Sequence, residues 1–150
     1  MVRVLAAYVA AVLVTYASAA MAHTQSVMAR LADMGVNVAL SDRVGATLHD
    51  LIGMAPLYLP ILAAGLAVAF PVASGVIRYV PRWRPLGYSL AGGFAVLVIH
   101  VVLYQTFSIT PIAAARTTTG LTVQALCGAL GGWVFRRCLP WVTPPTRRQP

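Results

Sequence analysis

Four long apolar segments alternate with shorter polar stretches along this chain of 150 residues, and they cover residues 4–22, 56–77, 86–107 and 117–135. None of them contains Asp, Glu, Lys or Arg. At a rise of about 1.5 Å per residue, about 20 residues cross a hydrocarbon layer roughly 30 Å thick. Because lipid offers no partner to unpaired backbone groups, each crossing segment is expected to be helical. The pattern predicts an all-α integral membrane protein, a small bundle of three or four transmembrane helices.

The first segment determines whether the bundle has three or four helices. Arg3 precedes it, residues 4–17 form an apolar stretch of about 14 residues, and Ala20 and Ala22 occupy the small-residue positions of a signal-peptidase site. These features favour a signal peptide cleaved after Ala22, which would leave three helices. The whole run is also long enough to span the bilayer. Residues 1–22 are therefore predicted to be either a signal peptide or a first transmembrane helix.

The composition supports the membrane class and limits the partners. Hydrophobic residues make up 59% of the chain and charged residues only 9%, whereas a soluble domain carries about a quarter charged residues. All 11 basic residues are Arg, and the acids are Asp33, Asp42 and Asp50. The net charge of +8 does not indicate a nucleic-acid partner, because the arginines lie at the ends of apolar segments, where lipid headgroups bind them. The predicted partner is the lipid bilayer, with other membrane proteins or further copies of the chain as additional candidates.

The distribution of arginines predicts the orientation. The link at residues 78–85 and the tail at residues 136–150 together contain seven Arg and no acid, whereas the opposite side contains three Arg and all three Asp. Because positive charge is retained in the cytoplasm, the link and the Arg- and Pro-rich tail are expected there, and residues 23–55 are expected to face the periplasm. The lack of Lys and the abundance of Ala and Arg are typical of GC-rich bacterial genomes. We therefore expect a multi-pass protein of the bacterial inner membrane with a cytoplasmic C-terminus.

The outer segment contains a predicted amphipathic helix. Four apolar residues repeat at helical spacing, and they are Val44, Leu48, Leu51 and Ile52. Ser41 is a suitable N-cap for this helix. We expect the helix to lie with its apolar face on the membrane surface or on the bundle.

Two stripes of small residues predict close helix packing within the membrane bundle, residues 56–135. The last apolar segment contains Gly120, Gln124, Gly128 and Gly132 at four-residue spacing, and the second segment contains a matching stripe of Gly65, Ala69 and Ala73. Small residues at this spacing let another helix backbone approach closely, and Gln124 can form a hydrogen bond across the contact. The stripes are expected to pack within the chain, and self-association or docking onto a partner subunit is the alternative.

His100 is the one histidine inside a predicted span. Ionisable groups at membrane depth are costly and are candidate functional residues. It shares a helix face with Tyr104, so that an imidazole–phenol contact is geometrically feasible. The expected role is structural, with a neutral imidazole that forms a hydrogen bond to a neighbouring helix, Gln124 being one candidate partner. A proton relay, or a quinone or haem contact, would need a second acid, base or axial ligand at that depth, and the sequence supplies none.

The outer segment also contains weak candidates for a metal site, His23, His49 and Asp50, with three Met residues nearby. Imidazole and thioether groups are ligands that copper prefers, and cleavage after Ala22 would place the His23 imidazole beside a free amine. No compact metal-binding motif accompanies them, and no catalytic or nucleotide-binding motif occurs in the sequence. Cys127 and Cys138 are expected to be free thiols. We predict no resident cofactor and no catalytic residues.

These observations favour a non-catalytic accessory, assembly or structural component that packs with other membrane helices. A small oligomeric transporter or channel, with the His100 and Gln124 faces lining a path, is one alternative. A conduit needs several polar groups at membrane depth, and this chain offers few. A periplasm-facing protein that handles copper or redox chemistry is the other alternative.

Overall fold

All the regular secondary structure is helical in the part of the chain that a computed structural model describes, which is residues 2–83, 86–107 and 117–139. The five α-helices of these residues are α1 (Val2–Asp33), α2 (Leu40–Gly53), α3 (Ala55–Tyr79), α4 (Gly87–Phe107) and α5 (Thr118–Cys138), and a single turn of 3-10 helix, Pro81–Trp83, follows α3. The prediction of an all-α protein is confirmed. Arg84, Arg116 and the tail from residue 140 onward, which enter the predicted orientation, lie outside the described residues.

Three of the described helices, α1, α3 and α4, are long and apolar enough to cross a membrane. This finding supports a helical membrane bundle. The fourth predicted span corresponds to α5, which has 21 residues but is not among these three. Thr, Gly and Gln replace part of the aliphatic content that a lipid-facing helix carries.

The first helix is longer than its apolar segment. α1 runs without interruption through Ala22 and ends only at Asp33, 32 residues from its start. It is closed by Gly35, which has a φ of 83°, and by hydrogen bonds from the backbone N–H of Gly35 to Ala32 and of Val36 to Leu31. This is the Schellman arrangement, in which a glycine takes the left-handed conformation after the last helical turn.

The N-cap of helix α2 lies two residues before the predicted one. Ala39 is the N-cap, and its backbone N–H donates to the carboxylate of Asp42 over 3.0 Å. Ser41 therefore lies within the first turn instead of capping it. A carboxylate at this place also interacts favourably with the positive end of the helix dipole.

The long helices form one bundle whose interior has two hydrophobic clusters. One cluster lies towards the end of the bundle where α2 packs and includes Tyr16, Tyr58 and Val96. The other lies towards the opposite end, where the rings of Phe70 and Phe135 stack at a centroid distance of 4.2 Å. Helix α5 packs against both α1 and α4, which explains how a helix of modest hydropathy is accommodated in the bundle.

Most of the described arginines lie at one end of this bundle, whereas the three aspartates lie at the other end together with Arg30 and Arg43. The start of α1 and the end of α5 meet at a cleft lined by Arg3 and Cys138, and the end of α3 meets the start of α4 where Ile77 contacts Gly87. The helix ends at this side carry five described arginines, Arg3, Arg78, Arg82, Arg136 and Arg137. The three aspartates, Asp33, Asp42 and Asp50, belong to the other side.

Candidate functional site

A buried polar cluster joins three helices in the half of the bundle nearer to α2. The side chain of Gln124 is 1% exposed. Its Nε2 donates to the backbone carbonyl of Ala19 on α1 over 3.1 Å, and its Oε1 accepts from the hydroxyl of Tyr58 on α3 over 3.3 Å. Because both ends of the amide are bonded within the chain, Gln124 acts as a cross-link between α1, α3 and α5.

His100 lies beside this cluster and is 4% exposed. Its Nδ1 is 2.8 Å from the carbonyl oxygen of Val96, and since a carbonyl only accepts, Nδ1 is the donor in this hydrogen bond. Its Nε2 is buried and has no hydrogen-bond partner among the described residues. The imidazole ring packs edge-to-face against the ring of Tyr58, with 6.2 Å between the centroids.

Two expectations about His100 differ from the structure. Tyr104, which shares its helix face, is 58% exposed, and the phenol that packs on the imidazole belongs to Tyr58 on another helix. Gln124 does not bond to His100, because its amide is used by Ala19 and Tyr58. The described part of the site therefore contains one ring nitrogen without a partner and no second acid or base bonded to it.

The stripe of small residues on α5 forms a backbone-to-backbone contact. A Cβ placed on Gly128 would overlap the carbonyl oxygen of Gly92 on α4, and one placed on Gly132 would overlap the carbonyl oxygen of Tyr88. On an adjacent face, a Cβ on Gly131 would overlap the hydroxyl of Thr15 on α1. Glycines on two faces of α5 thus allow α1 and α4 to approach it closely at the same time.

The remaining small residues of the two predicted stripes have less demanding surroundings. Gly65 on α3 lies against the side chain of Ile99 on α4. Ala73 is buried, and Ala69 is half-buried against the cluster that contains Phe70 and Phe135. Gly120 lies in the first turn of α5, where its N–H donates to the hydroxyl of the N-cap Thr117 over 3.1 Å.

The second half of α1 and the helix α2 form a helical hairpin, and polar bonds join the two helices. The hydroxyl of Thr24 donates to the carboxylate of Asp50 over 2.7 Å, and the guanidinium of Arg43 donates to the side-chain oxygen of Gln25 over 3.0 Å. Deeper in the bundle, the hydroxyl of Tyr16 donates to the carbonyl oxygen of Leu51 over 2.6 Å. These bonds attach α2 along the last turns of α1.

The structure does not assemble the candidate metal ligands into a site. His49 is exposed, Asp50 is bonded to Thr24, and Nδ1 of His23 is buried without a hydrogen-bond partner in the described part of the chain. The described residues contain no group of three or more His, Cys, Asp or Glu side chains able to hold a metal ion. Cys127 and Cys138 are both free, the first buried and the second exposed.

The cleft at the arginine-bearing end has a volume of about 330 Å³ and is lined by Arg3, Ala6, Ala7 and Cys138. It offers one cation, one thiol and a small apolar floor. This set lacks the paired acid and base that proton-transfer chemistry requires.

The sequence contained signals for several of these contacts that were not used. The pair Gly92–Gly93 in α4 and Gly131 in α5 are visible in the sequence and indicate close helix packing at both places, while the partner helix is given only by the structure. The roles of Tyr16 and Tyr58 had no such signal, because their partners come from helices distant in the chain. Comparison with protein-family models, with characterised proteins and with solved structures finds no match.

Proposed function

We propose that this protein is a non-catalytic accessory or structural component of a membrane assembly, formed by a bundle of four spanning helices. The observation that carries the proposal is that the interior polar groups Gln124 and Tyr58 form their hydrogen bonds within the chain. Gln124 and Tyr58 are bonded to each other and Gln124 to the backbone of α1, so they hold helices together and do not line a path. A conduit needs polar groups that face water or a substrate at membrane depth.

In this proposal α1 is retained as a transmembrane helix. Its residues Ala7, Ala11, Ala19 and Ala20 are fully or almost fully buried in the bundle, and Ala19 accepts the hydrogen bond from Gln124. Cleavage after Ala22 would remove this packing surface and leave the glycine face of α5 uncovered. The packing therefore favours a first transmembrane helix over the signal peptide.

The arginine-bearing end of the bundle is assigned to the cytoplasm. Positively charged residues are retained on the cytoplasmic side of the membrane, and the guanidinium of Arg137 lies over the Trp133 ring at 5.2 Å, an aromatic–cation pair suited to the headgroup region. The hairpin of α1 and α2 then faces the periplasm of a bacterial inner membrane.

The outer surface of α3 supports docking with another membrane helix. Two prolines and three small residues are exposed along it, and they are Pro60, Ala64, Ala67, Pro71 and Gly75. A Cβ on Gly75 would meet nothing within 4 Å. Surfaces of this kind allow the close backbone approach on which helix association in lipid depends.

The test is native mass spectrometry of the tagged full-length protein, purified from its own membranes in a mild detergent. We expect a chain mass that includes residues 1–22 and a stoichiometric complex with another membrane protein. Ala64→Leu, which places a bulky side chain in the middle of the exposed α3 face, should reduce recovery of the partner. Phe94→Leu, on the exposed face of α4, is the matched control and should retain it.

Two results would contradict the proposal in different ways. A chain that begins at His23 would show that α1 is removed. A monomer from which no partner is recovered under any mild extraction would show that the bundle acts alone.

A further inference from the structure

Three polar residues of α2 face α1, which is the reverse of the arrangement expected for an amphipathic helix packed on a bundle by its apolar side. Arg43, Thr47 and Asp50 all form hydrogen bonds with side chains on α1, namely those of Gln25 and Thr24. Of the apolar residues, Leu51 packs against the hydrophobic cluster that contains Tyr16 and Tyr58. The other apolar side chains of α2 are left outside this contact.

These remaining apolar side chains form a stripe on the exposed surface. Because residues four apart lie almost above one another on a helix, four of them align, and they are Leu40, Val44, Leu48 and Ile52. Leu40 and Ile52, at the two ends of the stripe, are each 76% exposed. The neighbouring exposed side of α2 is polar or small and consists of Ser41, Asp42, Gly45, His49 and Gly53. The free surface of α2 is therefore divided into an apolar side and a polar side.

The position of α2 relative to the apolar segments indicates what covers the stripe. The bond from Tyr16 to the carbonyl of Leu51 places the end of α2 beside the apolar run of α1, within the length that spans the hydrocarbon layer. Only Met54 separates α2 from α3, and Leu57 in the first turn of α3 is 67% exposed. The stripe is thus followed in the chain, after a single residue, by a helix with exposed apolar side chains that is long and apolar enough to cross a membrane.

We propose that the stripe formed by Leu40, Val44, Leu48 and Ile52 is inserted into the outer-leaflet lipid at the boundary between headgroups and acyl chains. The polar bonds to α1 hold α2 in place, and the side bearing His49 faces water. Interfacial helices bind lipid in this way, with one apolar side buried to a depth of about 5–10 Å. The proposal rests on the membrane location of the bundle, which the proposed function shares, and does not depend on a protein partner.

The test uses an environment-sensitive nitrobenzoxadiazole label on single cysteines in the full-length protein. The background is Cys138→Ser, in which the remaining thiol, Cys127, is buried, and the unsubstituted background reports any labelling of it. Leu48→Cys probes the stripe, with Val44→Cys as a second position if the first variant folds poorly. His49→Cys is the matched control, since it is adjacent in the chain and about 100° away around the helix.

Each labelled variant is reconstituted into phosphatidylcholine vesicles, with or without lipids that carry a nitroxide near the headgroup. We expect the label at Leu48→Cys to emit at shorter wavelength and to lose most of its fluorescence to the nitroxide lipid. The label at His49→Cys should instead be quenched by iodide in the water.

Two outcomes would overturn the proposal. Equal iodide quenching at both positions would show that the stripe faces water. Shielding of the Leu48→Cys label from both quenchers would show that protein covers it, through a second copy of the chain or another partner. A monomer in the native mass measurement would contradict the proposed accessory function without altering the lipid quenching, so failures of the two proposals are distinguishable.

Discussion

The close contact between α4 and α5 and the open surface of α3 predict that two Gly→Ala substitutions change stability in opposite directions. At Gly128 the added methyl group would overlap the carbonyl oxygen of Gly92 and lie 2.6 Å from Cγ2 of Val96. Carbon atoms pack comfortably at about 3.5–4.0 Å, so the two helices have to move apart by roughly 1 Å. A gap of that size removes about a quarter to a half of the attraction of the atoms that line it.

The magnitudes follow from the packing and from helix propensity. Overpacking of a tight contact costs about 1–3 kcal/mol, while alanine in place of glycine within a helix gains about 0.5–1 kcal/mol. We expect Gly128→Ala to lower the free energy of unfolding by about 1–2 kcal/mol. At Gly75 on α3, the new methyl group meets nothing within 4 Å, so Gly75→Ala should raise it by up to about 1 kcal/mol.

Reversible unfolding in mixed micelles measures the change in the free energy of unfolding for both variants. The mole fraction of sodium dodecyl sulfate is increased, and the helix content is followed by circular dichroism. Both variants are compared with the unsubstituted protein at the same protein concentration. If both substitutions stabilise the bundle, Gly128 does not lie at a backbone contact and the close approach of α4 and α5 is wrong.

Two further predictions concern the interior of the bundle and use the same unfolding assay. Gln124→Leu should lower the free energy of unfolding by about 1–3 kcal/mol because it leaves the Tyr58 hydroxyl buried without an acceptor. The double variant with Tyr58→Phe should lose less than the sum of the two single losses. Additive losses would show that the two side chains do not interact. Phe135→Ala should cost about 3–5 kcal/mol because the ring is buried and stacks on Phe70. Phe94→Ala, at a ring that is 67% exposed, should change stability by no more than about 0.5 kcal/mol, and similar costs at both positions would contradict the assignment of these two faces.

The hydrophobic pattern was sufficient to predict the helical class and the positions of the long helices, because the apolar length needed to cross lipid is read directly from the chain. It did not predict how far α1 continues. The residues between Ala22 and Asp33 mix polar and apolar side chains, and the helix continues through them, with Thr24 and Gln25 bonded to α2. Periodicity reports which residues share a face, whereas the partner of that face is a tertiary property.

The same limit explains the orientation of α2 and the partners of His100. Periodicity identified Val44, Leu48 and Ile52 as one apolar side, but the polar side of α2 had specific partners on α1 and took the inner position. For His100, spacing along one helix pointed to Tyr104, while the ring that contacts it comes from α3. Contacts between helices that are distant in sequence have no signature in a single-helix pattern.

The composition of α5 links the stability of this helix in the bundle to the fate of α1. Glycine reduces the apolar surface of a helix and therefore its own preference for lipid, and α5 is the long helix that does not reach the hydropathy of the other three. In exchange, its glycines allow backbone contact with α4 at Gly128 and with α1 at Gly131. Attraction between helices in lipid comes from such packing and from interhelical hydrogen bonds, and α1 supplies both, through Thr15 and through the carbonyl of Ala19. A glycine face directed at residues 11–19 of the chain is useful only if those residues remain in the membrane beside it, and this is the strongest physical reason to regard the first apolar segment as a permanent member of the bundle.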